Sequence, residues 1–200
     1  LFNTYHPELK EEPVIFGITK PLASWNPLWA NAEFYWNLIL DAVRTKSWKD
    51  KVSIWFKPTG WRPADMNEKH PYPTFDPYKQ IKFDVALTLT QKYYILFQHI
   101  SAIAIVVYLL LSATSMTMQT IIVTSAAFLF FLFSLGRFQQ QQPNAYLIEF
   151  IKNCLITVLI CSYITNLPSP YLIGISWFVL SNFLLWLSKS TFAVKLQQEQ

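Results

Sequence analysis

Residues 93–111 read YYILFQHISAIAIVVYLLL, nineteen consecutive positions without a formal charge. As an α-helix at ~1.5 Å per residue this stretch is about 28 Å long, close to the roughly 30 Å of a bilayer's hydrocarbon core. Three more segments of the same kind follow, at 118–135, 147–164 and 171–187. Between residues 93 and 188 there are three charged side chains, Arg137, Glu149 and Lys152. Buried helices of a soluble domain are the bland alternative, but four such stretches so close together favour membrane spans. The links are short: 112–117 is uncharged, 136–146 carries Arg137, a glutamine run and Pro143, and 166–170 has Pro168 and Pro170 as helix breakers. Links of this length predict antiparallel helical hairpins.

The composition of the whole chain agrees. Of 200 residues, 52% are hydrophobic, 17% aromatic and 14% charged, against roughly 25% charged in an ordinary soluble domain. That excludes a disordered chain and disfavours a purely soluble globule. The charge is unevenly spread, with 22 of the 28 charged residues in 1–92. The expected class is therefore an all-α membrane protein. A Trp-rich helical cap precedes four transmembrane helices, and a tail at 189–200 follows them.

Lys and Arg set the expected orientation. One side of the membrane receives Lys79, Lys82, Lys92, Arg137, Lys152, Lys189 and Lys195, and the two opposite links receive no cation. Both the N-terminal part and the C-terminus are then cytoplasmic. The composition leans towards a bacterial inner membrane over an endoplasmic reticulum.

Polar groups inside spans are functional candidates by default. Glu149 and Lys152 stand three apart on one helix face. With Arg137 they are expected to form an ion cluster at the membrane interface, topological more than catalytic in role. Gln98 and His99 lie one to two turns into the first span, where His99 is expected to be an interfacial or packing residue, since no other span holds a histidine. Cys154 and Cys161 share a helix face about 10 Å apart, too far for a disulfide, and serve as small packing residues.

Six of the eight tryptophans fall within 25–61. Asn26-Pro27 predicts an N-cap followed by proline at the first helical position. The helix should run to about Thr45, with Trp29, Trp36, Leu40 and Val43, and Ile39 beside them, on its apolar face. Ser47-Trp48-Lys49-Asp50 predicts a second start, placing Trp48, Val52, Trp55 and Phe56 on one face. Pro58-Thr59-Gly60-Trp61-Arg62-Pro63 ends it in a turn. Residues 69–78, with Pro71, Pro73 and Pro77, predict an extended linker, and 81–90 is either a short strand or a ramp into the first span. Trp-rich amphipathic helices beside membrane spans suit interfacial docking; packing against another domain of the same protein is the equal alternative.

Chemical motifs are missing. His6, His70 and His99 stand in no metal-ligand spacing, no Cys-x2-Cys pair exists, and phosphate loops and nucleophile elbows are absent. The 12 basic residues of 1–92 are nearly matched by 10 acids, so no nucleic-acid surface is indicated.

Several stretches resemble a known family. Leu1-Phe2-Asn3-Thr4-Tyr5 and Glu11-Glu12-Pro13-Val14-Ile15-Phe16-Gly17 are similar to the end of the fatty acid hydroxylase/sterol desaturase domain, where a Leu-Phe-Gly-Thr-Tyr stretch follows the last histidine box. Trp25-Asn26-Pro27-Leu28-Trp29, then Trp55-Phe56-Lys57-Pro58-Thr59-Gly60-Trp61-Arg62-Pro63, resemble the region beyond the boxes in the alkylglycerol monooxygenase-like branch. Ser134-Leu135-Gly136 and Glu149 are similar to that branch's C-terminal membrane segment. The resemblance implies the C-terminal part of an integral-membrane di-iron lipid oxygenase, with tetrahydrobiopterin as a possible electron donor. It implies no catalytic residue and no metal ligand on this chain. In those terms 1–22 ends the hydroxylase-like domain and 23–66 is the cap. Residues 67–92 are the linker, 93–188 the membrane module and 189–200 the tail. Trp29, Trp36, Trp55 and Trp61 are candidates for a lid or wall near the lipid substrate. The partners are then the bilayer and that lipid, with the oligomeric state open. A non-enzymatic membrane anchor with a partner-docking face is the alternative; a transporter is weaker, because Gly174 alone offers a helix break within the spans.

Overall fold

The computed structural model describes residues 22–58, 60–71, 76, 83–163 and 169–198, and of 190–198 only the backbone. Of the expected first-domain stretch at 1–22, all but Leu22 therefore lies outside the described residues, as do Lys79, Lys82 and the rest of 72–75 and 77–82 in the Pro-rich linker.

Seven α-helices are present among the described residues, with a short 3-10 helix at Ala113–Ser115 and no strand: α1 (Pro27–Arg44), α2 (Trp48–Ser53), α3 (Ala64–Lys69), α4 (Leu89–Ser112), α5 (Met118–Gln139), α6 (Ala145–Tyr163) and α7 (Pro170–Gln198). The last four are long and apolar enough to cross a membrane. Their starts are written locally. Thr88 caps α4 in a full capping box with Gln91, Thr117 caps α5 through the Thr120 N–H, and Pro170 opens α7. The stretch 83–88 is irregular, a ramp and not a strand.

The chain divides into two compact units. Residues 1–23 and 33–84 make one, and 24–32 with 85–200 make the other.

In the membrane unit α4 packs on α5, α5 on α6, α6 on α7, and α7 closes back on α4. Phe131, Leu135, Ala127, Ile156 and Ile160 form the apolar centre. Tyr94, Phe138, Ala145 and Leu185 form a second cluster. Two glycines allow close approaches. A Cβ on Gly136 would lie 2.7 Å from the Asn26 Cα, and one on Gly174 would lie 2.8 Å from the Cys161 Sγ. Gly174 is thus a contact point of α6 with α7, inside an unbroken helix, and not a helix break. Cys154 and Cys161 are free thiols. The link 136–146 is shorter than the sequence suggests, because α5 continues to Gln139. Gln141 and Asn144 turn the chain at positive φ, 51° and 61°.

The front unit is small and tied by polar contacts. The first turns of α1 belong to the membrane unit, where Asn26 caps the helix as expected, its Oδ1 accepting from Leu28 N (3.0 Å) and Trp29 N (3.4 Å). Ser47 caps α2 through the Asp50 N–H. Lys51 Nζ donates to the last carbonyls of α1, Ala42 O (3.0 Å) and Val43 O (2.8 Å), where a cation is favoured. Trp61 N donates to Pro58 O (3.1 Å), and Gly60 at φ 92° supplies the left-handed residue of that turn. Arg62 forks onto Asp41 at 2.6 and 2.9 Å. Pro63 is fully buried and precedes α3, a helix the sequence reading did not anticipate.

The expected apolar face of α1 is not its buried face. Trp29, Trp36, Ile39 and Val43 are exposed, and the buried residues of α1 are Asp41 and Ala42. The Arg62 fork explains this, since a buried carboxylate needs a paired cation.

Candidate functional site

The most concentrated chemistry lies inside the membrane unit, one to three turns from the starts of α4 and α6. Glu149 and Lys152 are both wholly buried and pair at 2.6 Å. Their spacing of three on α6 brings them to one face. The neighbours come from other helices. Tyr94 of α4 donates its hydroxyl to Glu149 Oε2, and Ser134 of α5 donates to Glu149 Oε1. Lys152 Nζ also donates to Gln98 Oε1 at 2.9 Å and stands 4.3 Å from the centre of the Phe131 ring. The ammonium is thus surrounded by a carboxylate, an amide oxygen and an aromatic face. The carboxylate holds three donors.

This is a closed arrangement. Its two charges cancel within one helix, and their hydrogen-bonding capacity is used on α4, α5 and α6. In a medium without water an isolated charge is very costly, and a paired and hydrogen-bonded one far less so. Two amide groups nearby are not fully used. Gln98 Nε2 and Asn153 Oδ1 are buried without a partner, although Asn153 Nδ2 reaches Asn182 Oδ1 on α7 at 3.3 Å. Further polar ties run Gln91 to Tyr146 (3.1 Å) and Trp177 to Ser101 (2.9 Å).

Arg137 stands apart from the pair. Its Nη2 donates to Pro143 O at 2.9 Å and its guanidinium lies 5.7 Å from the Phe133 ring. Of the three residues expected to cluster, Glu149 and Lys152 come together, and Arg137 caps the link after α5. The pair is enclosed by protein and not at a solvated surface, so Lys152 is an interior cation and carries no information on orientation.

His99 is exposed, with Nδ1 2.8 Å from Ile95 O and Nε2 3.4 Å from the Gln139 amide. Among the described residues no group of three His, Cys, Asp or Glu side chains could hold a metal. Glu149, the one carboxylate in the spans, already holds three donors. The described residues do not fit an iron centre.

The four tryptophans named as lid or wall are distributed. Trp29 belongs to the membrane unit, whereas Trp36, Trp55 and Trp61 belong to the front unit. Trp29, Trp36 and Trp55 are exposed, and Trp61 is half-buried with Lys57 over its ring at 5.9 Å. Away from the ion pair, a small apolar cleft is lined by Ile105, Tyr108, Phe128, Ile156, Leu159 and Tyr163 among others. The sequence does not single out Tyr94 or Phe131, and Ser134 stands out only within the Ser134-Leu135-Gly136 resemblance, with no link to the ion pair. Each is an ordinary residue of an apolar helix until the fold sets it against Glu149 or Lys152.

Comparison with known proteins finds no matching family model, no matching curated protein and no matching solved structure.

Proposed function

We propose that this chain is the membrane-embedded C-terminal part of a lipid-modifying oxygenase of the fatty acid hydroxylase/sterol desaturase family, in the alkylglycerol monooxygenase-like branch. There it anchors and caps a catalytic domain whose iron ligands lie outside these residues. The observation that carries the reading is the string Trp55-Phe56-Lys57-Pro58-Thr59-Gly60-Trp61-Arg62-Pro63. Its distinctive residues have local work: Gly60 makes the turn, Arg62 holds Asp41 and Pro63 precedes α3. In this reading the string is a marker of the cap's fold and not a catalytic motif, which suits described residues that offer no group of metal ligands.

The four long apolar helices support the membrane part. In this reading they form antiparallel hairpins with both chain ends cytoplasmic, since Lys92, Arg137 and Lys189 fall on one side, in a bacterial inner membrane. In this reading Trp29, Trp36, Trp55 and Trp61 are each candidates for contact with the lipid substrate, and tetrahydrobiopterin is a candidate electron donor for the whole enzyme.

The test is the reading frame upstream of the Leu1 codon, followed by iron analysis of the whole product. His-x3-His and His-x2-His-His boxes upstream, with iron bound and an alkylglycerol or sterol oxidised, are the expected result. A frame that opens just before Leu1 without a histidine-rich region sinks the oxygenase reading and leaves a membrane anchor. Within the intact enzyme, Trp61→Ala is expected to lower turnover, and unchanged kinetics at normal expression would remove the tryptophan wall.

A further inference from the structure

The front unit exposes a compact aromatic face. Residues 48, 52, 55 and 56 follow helical spacing, and Ile54 N donating to Asp50 O and Lys57 N to Ser53 O carry the helical course past the end of α2. The inward side of this turn is Ile54, 4% exposed. Its outward side is Trp48 (81%), Val52 (60%), Trp55 (48%) and Phe56 (84%). Four large apolar side chains this exposed within the nine residues 48–56 are not ordinary surface scatter.

Their surroundings carry a charge bias. The stretch 44–57 holds five cations, Arg44, Lys46, Lys49, Lys51 and Lys57, against one carboxylate, Asp50. Arg44, Lys46, Lys49 and Lys57 are exposed. Lys51 is the exception, occupied by the end of α1 and lying 5.6 Å from the centre of the Trp48 ring.

We propose that the α2 face is an interfacial anchor, in which Trp48, Val52, Trp55 and Phe56 enter the headgroup region of an anionic leaflet while Lys46, Lys49 and Lys57 meet its phosphates. The chemistry matches on both counts. Indole and phenyl rings favour the boundary between headgroup and acyl chain, and clustered lysines beside them favour anionic lipid over neutral lipid. The chain also keeps the surface near a bilayer. Only 19 residues separate Lys69 from Leu89, where α4 begins, a reach of at most ~65 Å at full extension. Tethering of that kind raises the effective concentration of the membrane at the patch. A protein partner with a matching acidic groove is the competing occupant. The inference rests on the membrane-spanning reading and not on the oxygenase chemistry.

The test is a depth measurement on the full chain in liposomes. In a Cys154→Ser, Cys161→Ser background, a nitroxide is placed at Val52→Cys, with Asn67→Cys on α3 as an aqueous reference and Leu110→Cys on α4 as a lipid reference. In phosphatidylcholine with added phosphatidylserine, the label at 52 is expected to meet oxygen more readily than a water-soluble nickel chelate. That corresponds to about 5–10 Å below the headgroups. Trp48→Ser with Phe56→Ser should return it to the aqueous value, and Lys49→Gln with Lys57→Gln should lose the preference for phosphatidylserine. A label at 52 as aqueous as that at 67 overturns the anchor. Shielding from both reagents overturns it too, because a protein surface then covers the face. Equal insertion in pure phosphatidylcholine overturns the anionic preference. An aqueous label at 110 would instead break the membrane-spanning reading itself.

Discussion

The two units of this chain use apolar and polar side chains in opposite ways. The membrane unit turns Leu, Ile, Val and Phe outward along α4 to α7 and gathers Glu149, Lys152, Gln98, Asn153 and Ser134 inside. The front unit also turns aromatic groups outward, yet holds itself together with partly solvated polar contacts, Arg62 on Asp41 and Asp65 on Thr45 and Lys46. The difference teaches where each unit's specificity lies. Lipid tails are as apolar as leucine, so helices in a bilayer gain little from burying leucine and are registered by packing fit and buried polar ties. Outside the hydrocarbon, a small unit with few buried apolar residues depends on capping and ion pairs.

The largest expected effect tests the inside of the membrane unit. Lys152→Met leaves the Glu149 carboxylate buried without its cation, and breaking such a pair costs ~3–5 kcal/mol. The expected outcome is loss of folded protein in detergent, read by size-exclusion yield and thermal melting. Glu149→Gln with Lys152→Met should be more stable than Lys152→Met alone, since no charge is then buried. If the double variant is no better, charge pairing is not what the site provides.

Next comes the close approach at Gly136. A methyl group there meets the Asn26 backbone at 2.7 Å, and backbone cannot rotate away. Gly136→Ala is expected to cost ~1–3 kcal/mol of membrane-unit stability. Gly174→Ala presses on the Cys161 Sγ at 2.8 Å and should cost less. Cys161→Ala removes the obstructing sulfur, so the pair of substitutions should melt above Gly174→Ala alone. Absence of that rescue would mean the helices meet differently.

The smallest effect probes the front unit. The Lys46 backbone N–H, and with it the Thr45 hydroxyl, hold the Asp65 carboxyl below its ordinary value of 3.8, with burial pulling the other way. A carboxyl with a folded-state pKa below its unfolded one contributes stability above pH ~4. That contribution fades as pH falls through the lowered folded value. Amide-exchange protection at Lys46, corrected for intrinsic rates, is therefore expected to decline on acidification below pH ~4. Asp65→Asn should make it flat. The membrane unit should not respond in step, and a common decline would blur the contrast between the units.

Much of this architecture is legible one segment at a time. The four apolar runs announce four long helices, Asn26-Pro27 and Ser47 announce two starts, and Gly60 announces a turn. Each depends on residues within a few positions of one another. Where the sequence is not enough, the missing information is distant. Helical spacing places Trp29, Trp36, Leu40 and Val43 on one apolar face of α1 and leaves open whether that face meets a membrane interface or another domain. That periodicity cannot tell a face turned to protein from one left exposed. Position along the chain groups Arg137 with Glu149 and Lys152 because all three are near one end of the spans. The pair instead closed on itself, because Glu149 is already filled by Tyr94, Ser134 and Lys152.

Capping, turn chemistry and hydrophobic run length are local, so the all-helical class, the number of apolar spans and the caps of α1 and α2 are legible in the chain alone. Only the tertiary structure decided that Lys152 is an interior residue and Arg137 a link residue, and that Gly174 is a contact and not a break. Tyr94 and Gln98 lie about fifty-five positions from Glu149 and Lys152. No short-range pattern links side chains at that separation. The pairing arises when packed helices, in a medium that cannot hydrate a charge, leave each polar group the others as its best partners.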